Sequence, residues 1–143
     1  MMMRVRSCLV LVTVVGLPWP AVAACLLNDY SVPAEYERSA AVVTARVIAE
    51  RPAAESAGYY EGVVYTVAVE KVYRGEIPGT VDIFTENSSG RFPMQTNGRY
   101  VLFIYRETGR LMVDNCGNSG PVGEKTEVVR ALDHRGTARP SEP

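Results

Sequence analysis

Apolar and polar residues alternate with a period of two over several stretches of the chain, the pattern of half-buried strands. Residues 41–48 place Ala41, Val43, Ala45 and Val47 on one face and Val42, Thr44, Arg46 and Ile48 on the other, which reads as partly wet. The longest such signal covers residues 62–73. There Val63, Tyr65, Val67 and Val69 share a face until Glu70-Lys71 intervenes before Val72-Tyr73. A slip of one residue in the alternation predicts a β-bulge, the device that bends long strands in small barrels. After turn residues at Gly75 and Pro78-Gly79, Val81, Ile83 and Thr85 oppose Asp82, Phe84 and Glu86 on a shorter strand. Asn97-Gly98 then precedes a run over 100–105 that is apolar on both faces, as expected of a central strand covered on both sides. Gly109 turns the chain into Leu111-Met112-Val113-Asp114, and the pair reads as a hairpin that delivers Cys116 at its end.

Two segments break this rhythm. Pro33-Ala34-Glu35-Tyr36-Glu37-Arg38 opens with a proline suited to a helix start and carries two carboxylates near the positive helix end, predicting one or two helical turns. Val128, Val129 and Leu132 recur at helical spacing between charges, predicting a short amphipathic helix over 124–133. Residues 51–61, with Pro52, Ser56 and Gly58, read as a surface loop whose closing Tyr59-Tyr60 leads into the next strand. Residues 136–143 read as a flexible polar tail. Five strands, two small helices and no βαβ alternation point to an all-β domain with small helices, a small antiparallel barrel or sandwich. A length of 143 residues, 47% hydrophobic and 22% charged, fits one such domain, and 12 glycines and 9 prolines without a period exclude collagen-like and solenoid chains.

The first 24 residues read as a secretory signal peptide. Arg4 and Arg6 precede the apolar run over 8–15, and Gly16, Pro18 and Pro20 break it ahead of Ala21-Val22-Ala23-Ala24-Cys25. The run is well short of the ~20 residues a membrane-crossing helix requires, so no membrane span is expected. Loss of Arg4 and Arg6 takes 15 basic residues to 13 against 16 acidic ones, a net charge of −3 over residues 25–143. That balance opposes binding to a phosphate backbone. Small residues allow cleavage before either Ala24 or Cys25. With Cys8 gone, Cys25 and Cys116 remain, and two fates are open to Cys25. An even pair in an oxidising compartment bridges. Alternatively Val22-Ala23-Ala24-Cys25 resembles a lipobox, in which case the sulfur carries lipid and the protein is anchored.

The ordered segments resemble the TIMP-like, netrin-module (NTR) family of OB-fold domains, which includes the tissue inhibitors of metalloproteinases and bacterial relatives. The features that carry the likeness are Cys25, the strand over 41–47, the phrase Tyr65-Thr66-Val67-Ala68-Val69-Glu70-Lys71-Val72-Tyr73-Arg74-Gly75, the stretch Gly98-Arg99-Tyr100-Val101-Leu102-Phe103, and Gly109-Arg110-Leu111 followed by Cys116. The resemblance implies a five-stranded, OB-fold-like closed barrel over residues 25–135 with a short N-terminal and a C-terminal helix. It further implies that a disulfide-bonded first residue presents its α-amine and carbonyl to the zinc of a metalloendopeptidase. Here that segment is Cys25, Leu26, Leu27 and Asn28, with a Cys25–Cys116 bond behind it. The Cys-x-Cys start of the family is absent, Leu27 standing second, and so is its cysteine near Gly90-Arg91-Phe92. One bridge at most stands in for several.

Other chemistry finds little material. His134, the single histidine, sits where a cation suits a helix C-terminus, and Ser56, Ser88 and Ser89 lack the setting of a hydrolase nucleophile. Asp114 with Cys116 and Asn118 reads as a turn rather than a metal site. Tyr65, Tyr100 and Tyr105 read as barrel-wall residues with wet hydroxyls rather than a base-stacking platform. Asn87-Ser88-Ser89 matches a glycosylation sequon and carries no functional weight. The expectation is a secreted or periplasmic, non-enzymatic interaction module with no cofactor and no intrinsic metal. Its most specific partner is an extracytoplasmic zinc metalloprotease. The alternative is an envelope lipoprotein acylated at Cys25, with a scaffold role.

Overall fold

The computed structural model describes residues 25, 28–54 and 61–137. The expected signal peptide, Leu26, Leu27, Ser56, Tyr59-Tyr60 and the last six residues of the tail lie outside the described residues. Helix α1 (Val32–Arg38) leads into strands β1 (Ala41–Pro52), β2 (Gly62–Arg74), β3 (Thr80–Glu86), β4 (Arg99–Glu107), β5 (Arg110–Val113) and β6 (Gly120–Pro121), and helix α2 (Thr126–Thr137) closes the chain. The protein is mostly β-sheet with two short helices, as the alternation predicts.

Strand pairing follows the order β1-β2-β3-β5-β4-β6, and β1 also pairs with β4. Five strands therefore neighbour one another in a ring. All its pairings are antiparallel except the β3–β5 seam, which is parallel and rests on the single pair Phe84↔Met112. The sixth strand, absent from the sequence reading, adds two residues opposite Tyr100 and Val101 of β4. Gly-Pro carries no strand signal, because proline lacks the ladder donor and glycine has no side chain to pack.

Alternation sorts the side chains into two layers. Ala41, Val43, Ala45 and Val47 of β1 face inward with Val63, Tyr65 and Val67 of β2, Val81 and Ile83 of β3, and Tyr100, Leu102 and Ile104 of β4. The opposite face of β1 and β4 is not wet throughout. Val42, Val101 and Phe103 are buried beneath α1 and α2, which supply Val32, Tyr36, Val128, Val129 and Leu132. Leu132 is 1% exposed, worth about 1.5–3 kcal/mol of apolar burial. Further along β1 the same face opens to solvent at Arg46 and Ile48. Helix α2 starts two residues later than its pattern suggests and runs through Thr137, two residues into the stretch read as tail.

The bulge expected at Glu70-Lys71 is present. Thr44 pairs with Lys71 while Ala45 pairs with Val69, leaving Glu70 as the extra residue. Similar shifts occur at Val42/Val43 and Val47/Ala49, and they bend the long β1–β2 ribbon. Glu70 receives Arg46 at 3.2 Å and Arg99 at 2.6 Å from outside the ring. The Arg99 guanidinium holds its carboxyl below the usual range.

Candidate functional site

The segment leading into α1 is built by local hydrogen bonds. Asp29 Oδ1 accepts the Ser31 N–H at 2.8 Å, and Ser31 Oγ caps α1 by accepting the Ala34 N–H at 3.4 Å. The Ser31 donors lower the Asp29 carboxyl below its ordinary range, with a smaller contribution from Arg38. Arg38 reaches back over the same turn to donate to the Asp29 carbonyl and lies 5.3 Å from the Tyr30 ring centre. Residues 29–38 thus form one folded unit rather than an isolated helical turn.

That unit is fastened to the loop after β5. The Tyr30 hydroxyl donates to Asp114 Oδ2 at 2.9 Å and accepts from Asn28 Nδ2 at 3.4 Å. Asp114 Oδ1 accepts the Cys116 N–H at 2.8 Å, so the Asp114–Asn118 stretch is the turn its sequence suggests. Glu35 is only 4% exposed, and its Oε2 accepts from Asn118 N at 2.7 Å and Asn118 Nδ2 at 2.6 Å. The same amide also donates to the Tyr30 carbonyl at 2.7 Å. Gly117 makes room for this carboxylate: a Cβ would fall 2.0 Å from Glu35 Oε1, and Glu35 would have to shift from its bonds to Asn118. Ser119 then ties the loop to β4, its Oγ accepting the Phe103 N–H at 2.8 Å.

A Cys25–Cys116 disulfide spans this junction, with 5.4 Å between the Cα atoms and a sequence separation of 91. Of the two fates open to Cys25, the structure has the bridge. It takes up the sulfur that a thioether-linked lipid would need. Beside it opens a recess of about 320 Å³ lined by Asn28, Glu35, Arg38, Phe103, Tyr105 and Asp114 among others. Burial, then the charges of Asp114, Glu107 and Glu86, push the Tyr105 phenol up to about 12.

The structure therefore brings together three of the residues singled out from sequence, Cys25, Asn28 and Cys116. Leu26 and Leu27, the other two candidate protease-contacting residues, lie outside the described residues. His134 occupies the last turn of α2, and Ser88 Oγ accepts the Gly90 N–H in a turn after β3. No group of three or more His, Cys, Asp or Glu side chains suited to a metal occurs among the described residues. Tyr65 and Tyr100 are in the inner core, whereas Tyr105 packs on an outer cluster. Tyr100 keeps a polar contact, its hydroxyl accepting the Gln95 N–H at 2.9 Å.

Sequence reasoning missed Tyr30 and the contact between Glu35, read as a helix-end carboxylate, and Asn118, read as part of a turn. A signal for Glu35 existed: it stands three residues after Val32 and four before Ser39, on the side of the helix that packs inward, rather than free at the helix end. No known family pattern matches the chain, and comparison with curated proteins returns no match. No helix among the described residues is long and apolar enough to cross a membrane.

Proposed function

We propose that the protein is an extracytoplasmic interaction module of the TIMP-like, OB-fold type, and that it binds its partner through the disulfide-anchored segment starting at Cys25. The observation that carries this reading is the Cys25–Cys116 bridge, reinforced by Tyr30–Asp114 and Asn118–Tyr30. A segment already fixed to its scaffold loses little conformational entropy on binding, which favours an edge that inserts into a partner's cleft. The ring order β1-β2-β3-β5-β4, returning to β1, supports a five-stranded OB-like barrel. A disulfide is compatible with an oxidising compartment outside the cytoplasm.

The most specific form of this function is inhibition of a zinc metalloendopeptidase. In that form Cys25 is the first residue, its neutral α-amine and carbonyl oxygen take up the partner's zinc, and Leu26, Leu27 and Asn28 occupy the cleft beside it. The test is titration of the oxidised protein against a panel of zinc endopeptidases, after mass spectrometry has established Cys25 as the first residue. Inhibition that disappears when the chain begins at Ala24, or when the α-amine is acetylated, supports the reading. No inhibition at micromolar protein overturns it. A Cys25 bearing lipid, seen as several hundred daltons of added mass, would establish the lipoprotein alternative.

A further inference from the structure

The outer face of β3, β5 and β4 carries an apolar row that neither helix covers. Phe84 pairs with Met112 across the parallel seam, and Met112 pairs with Tyr105 across the hairpin. Phe84 and Met112 are 9% and 7% exposed, and they cluster with Ala53 while Val64 and Tyr105 pack alongside. The residues of α1 and α2 belong to the other outer cluster. Over this row opens a recess of about 630 Å³, floored by Phe84 and Met112 and rimmed by Glu61, Glu86, Glu107 and Arg110.

Arg110 shows which chemistry the recess accepts. Its guanidinium lies 4.3 Å from the Phe84 ring centre, and its Nη2 is 3.0 Å from Glu61 Oε2. A guanidinium stacked on a ring and paired with a carboxylate is a recurrent mode of arginine recognition. Among the described residues, however, one cation faces three rim carboxylates. Those of Glu86 and Glu107 have no ion pair or side-chain hydrogen bond among the described residues. The surplus negative charge over an aromatic floor suits a second cation and repels phosphate or acidic peptide. Arg110 sits at the tip of the β4–β5 hairpin, next to Thr108 and Gly109, and its side chain is 48% exposed although Glu61 is 26% exposed, so its ion pair is partly screened by solvent and open to a competitor.

We propose that this recess docks an arginine-bearing segment of a partner protein, whose guanidinium stacks on Phe84 and pairs with Glu86 and Glu107 as Arg110 swings aside. The proposal stands apart from the anchored N-terminal segment, which contributes none of these residues.

Calorimetric titration of the oxidised protein at low salt tests it with two probes: a capped hexapeptide containing two arginines, and its citrulline twin, the same shape without charge. The arginine peptide should bind saturably, and at least about tenfold more tightly than the twin. The double variant Glu86→Gln/Glu107→Gln should weaken it about fivefold without altering the melting curve. Arg110→Ala should tighten it about threefold by clearing the ring. Equal affinity for the two peptides, no binding at millimolar peptide, indifference to the double variant, weakening by Arg110→Ala, or uptake of a single-stranded oligonucleotide in place of the peptide would each overturn the proposal.

Discussion

The Glu35–Asn118 contact joins α1 to a loop 83 residues further along, and its removal tests whether the junction is as firm as its geometry implies. In Asn118→Ala the side-chain amide is lost, and with it the bonds to Glu35 Oε2 at 2.6 Å and to the Tyr30 carbonyl at 2.7 Å. A hydrogen bond to a charged acceptor contributes about 1.5–3 kcal/mol and one to a neutral carbonyl about 1 kcal/mol. The backbone N–H of residue 118 still reaches Oε2, so Glu35 keeps one donor. The expected loss is about 2–4 kcal/mol, a large part of the stability of a domain this size. Glu35→Ala should cost a similar amount, because it removes the acceptor shared by the part-buried backbone and side-chain donors of Asn118. The double variant should cost less than the two singles together, with a coupling energy of about 1.5–3 kcal/mol. Urea denaturation of the four proteins followed by far-ultraviolet circular dichroism gives each value. A coupling energy below about 0.5 kcal/mol would refute the reasoning and reduce the contact to surface decoration.

Replacing Cys25 and Cys116 together by serine opens a loop of 91 residues and should destabilise the protein by about 4.5 kcal/mol in the chain-entropy treatment, read as a lower midpoint in guanidinium denaturation. Thr108, with φ 46°, precedes Gly109, with φ 80°, in a two-residue hairpin turn. Thr108→Asn should therefore raise stability by about 0.5–1 kcal/mol, measured by thermal melting, because asparagine tolerates this backbone region better. Tyr105 should ionise with a midpoint near 12, read from the difference between wild-type and Tyr105→Phe absorbance at 295 nm. Because burial raises this phenol in the folded state above its value of 10 when unfolded, its contribution to stability is complete below pH 10 and falls away as pH rises towards 12. Tyr105→Phe should flatten the alkaline denaturation curve in that window.

Local pattern carried much of the architecture. The inward sets Ala41-Val43-Ala45-Val47 and Val63-Tyr65-Val67 follow from alternation alone, and the two-sided apolar run of β4 correctly marks the strand that ring core and helices cover from opposite sides. The Glu70 bulge was legible because a break in alternation has one mechanical meaning. What local pattern cannot encode is which distant segments meet. The β1–β4 pairing and the one-pair β3–β5 seam depend on sheet twist and loop reach, and neither leaves a trace in a window of ten residues. Cys25 and Cys116 were recognisable as a possible pair from the count of cysteines, and Asn28 joined them only through the family resemblance. The position of Glu35 on its helix hinted at an inward side chain, but not at the residue it meets. Its burial depends on Asn118, and a glutamate near a helix start is ordinarily solvated. The recess over Phe84 was equally hidden, because its rim draws on β3, the β4–β5 hairpin and the residue before β2.

The Cys25–Cys116 bond has a topological consequence beyond stability. All five strands of the ring fall inside the covalent circuit it closes. A single backbone cut anywhere in that circuit yields two fragments that stay linked through sulfur and migrate as one species until a reductant is added. Backbone cleavage and molecular disassembly are thereby separated into two chemical events, and a nicked copy keeps the β3, β4 and β5 segments in the same covalent particle as residue 25.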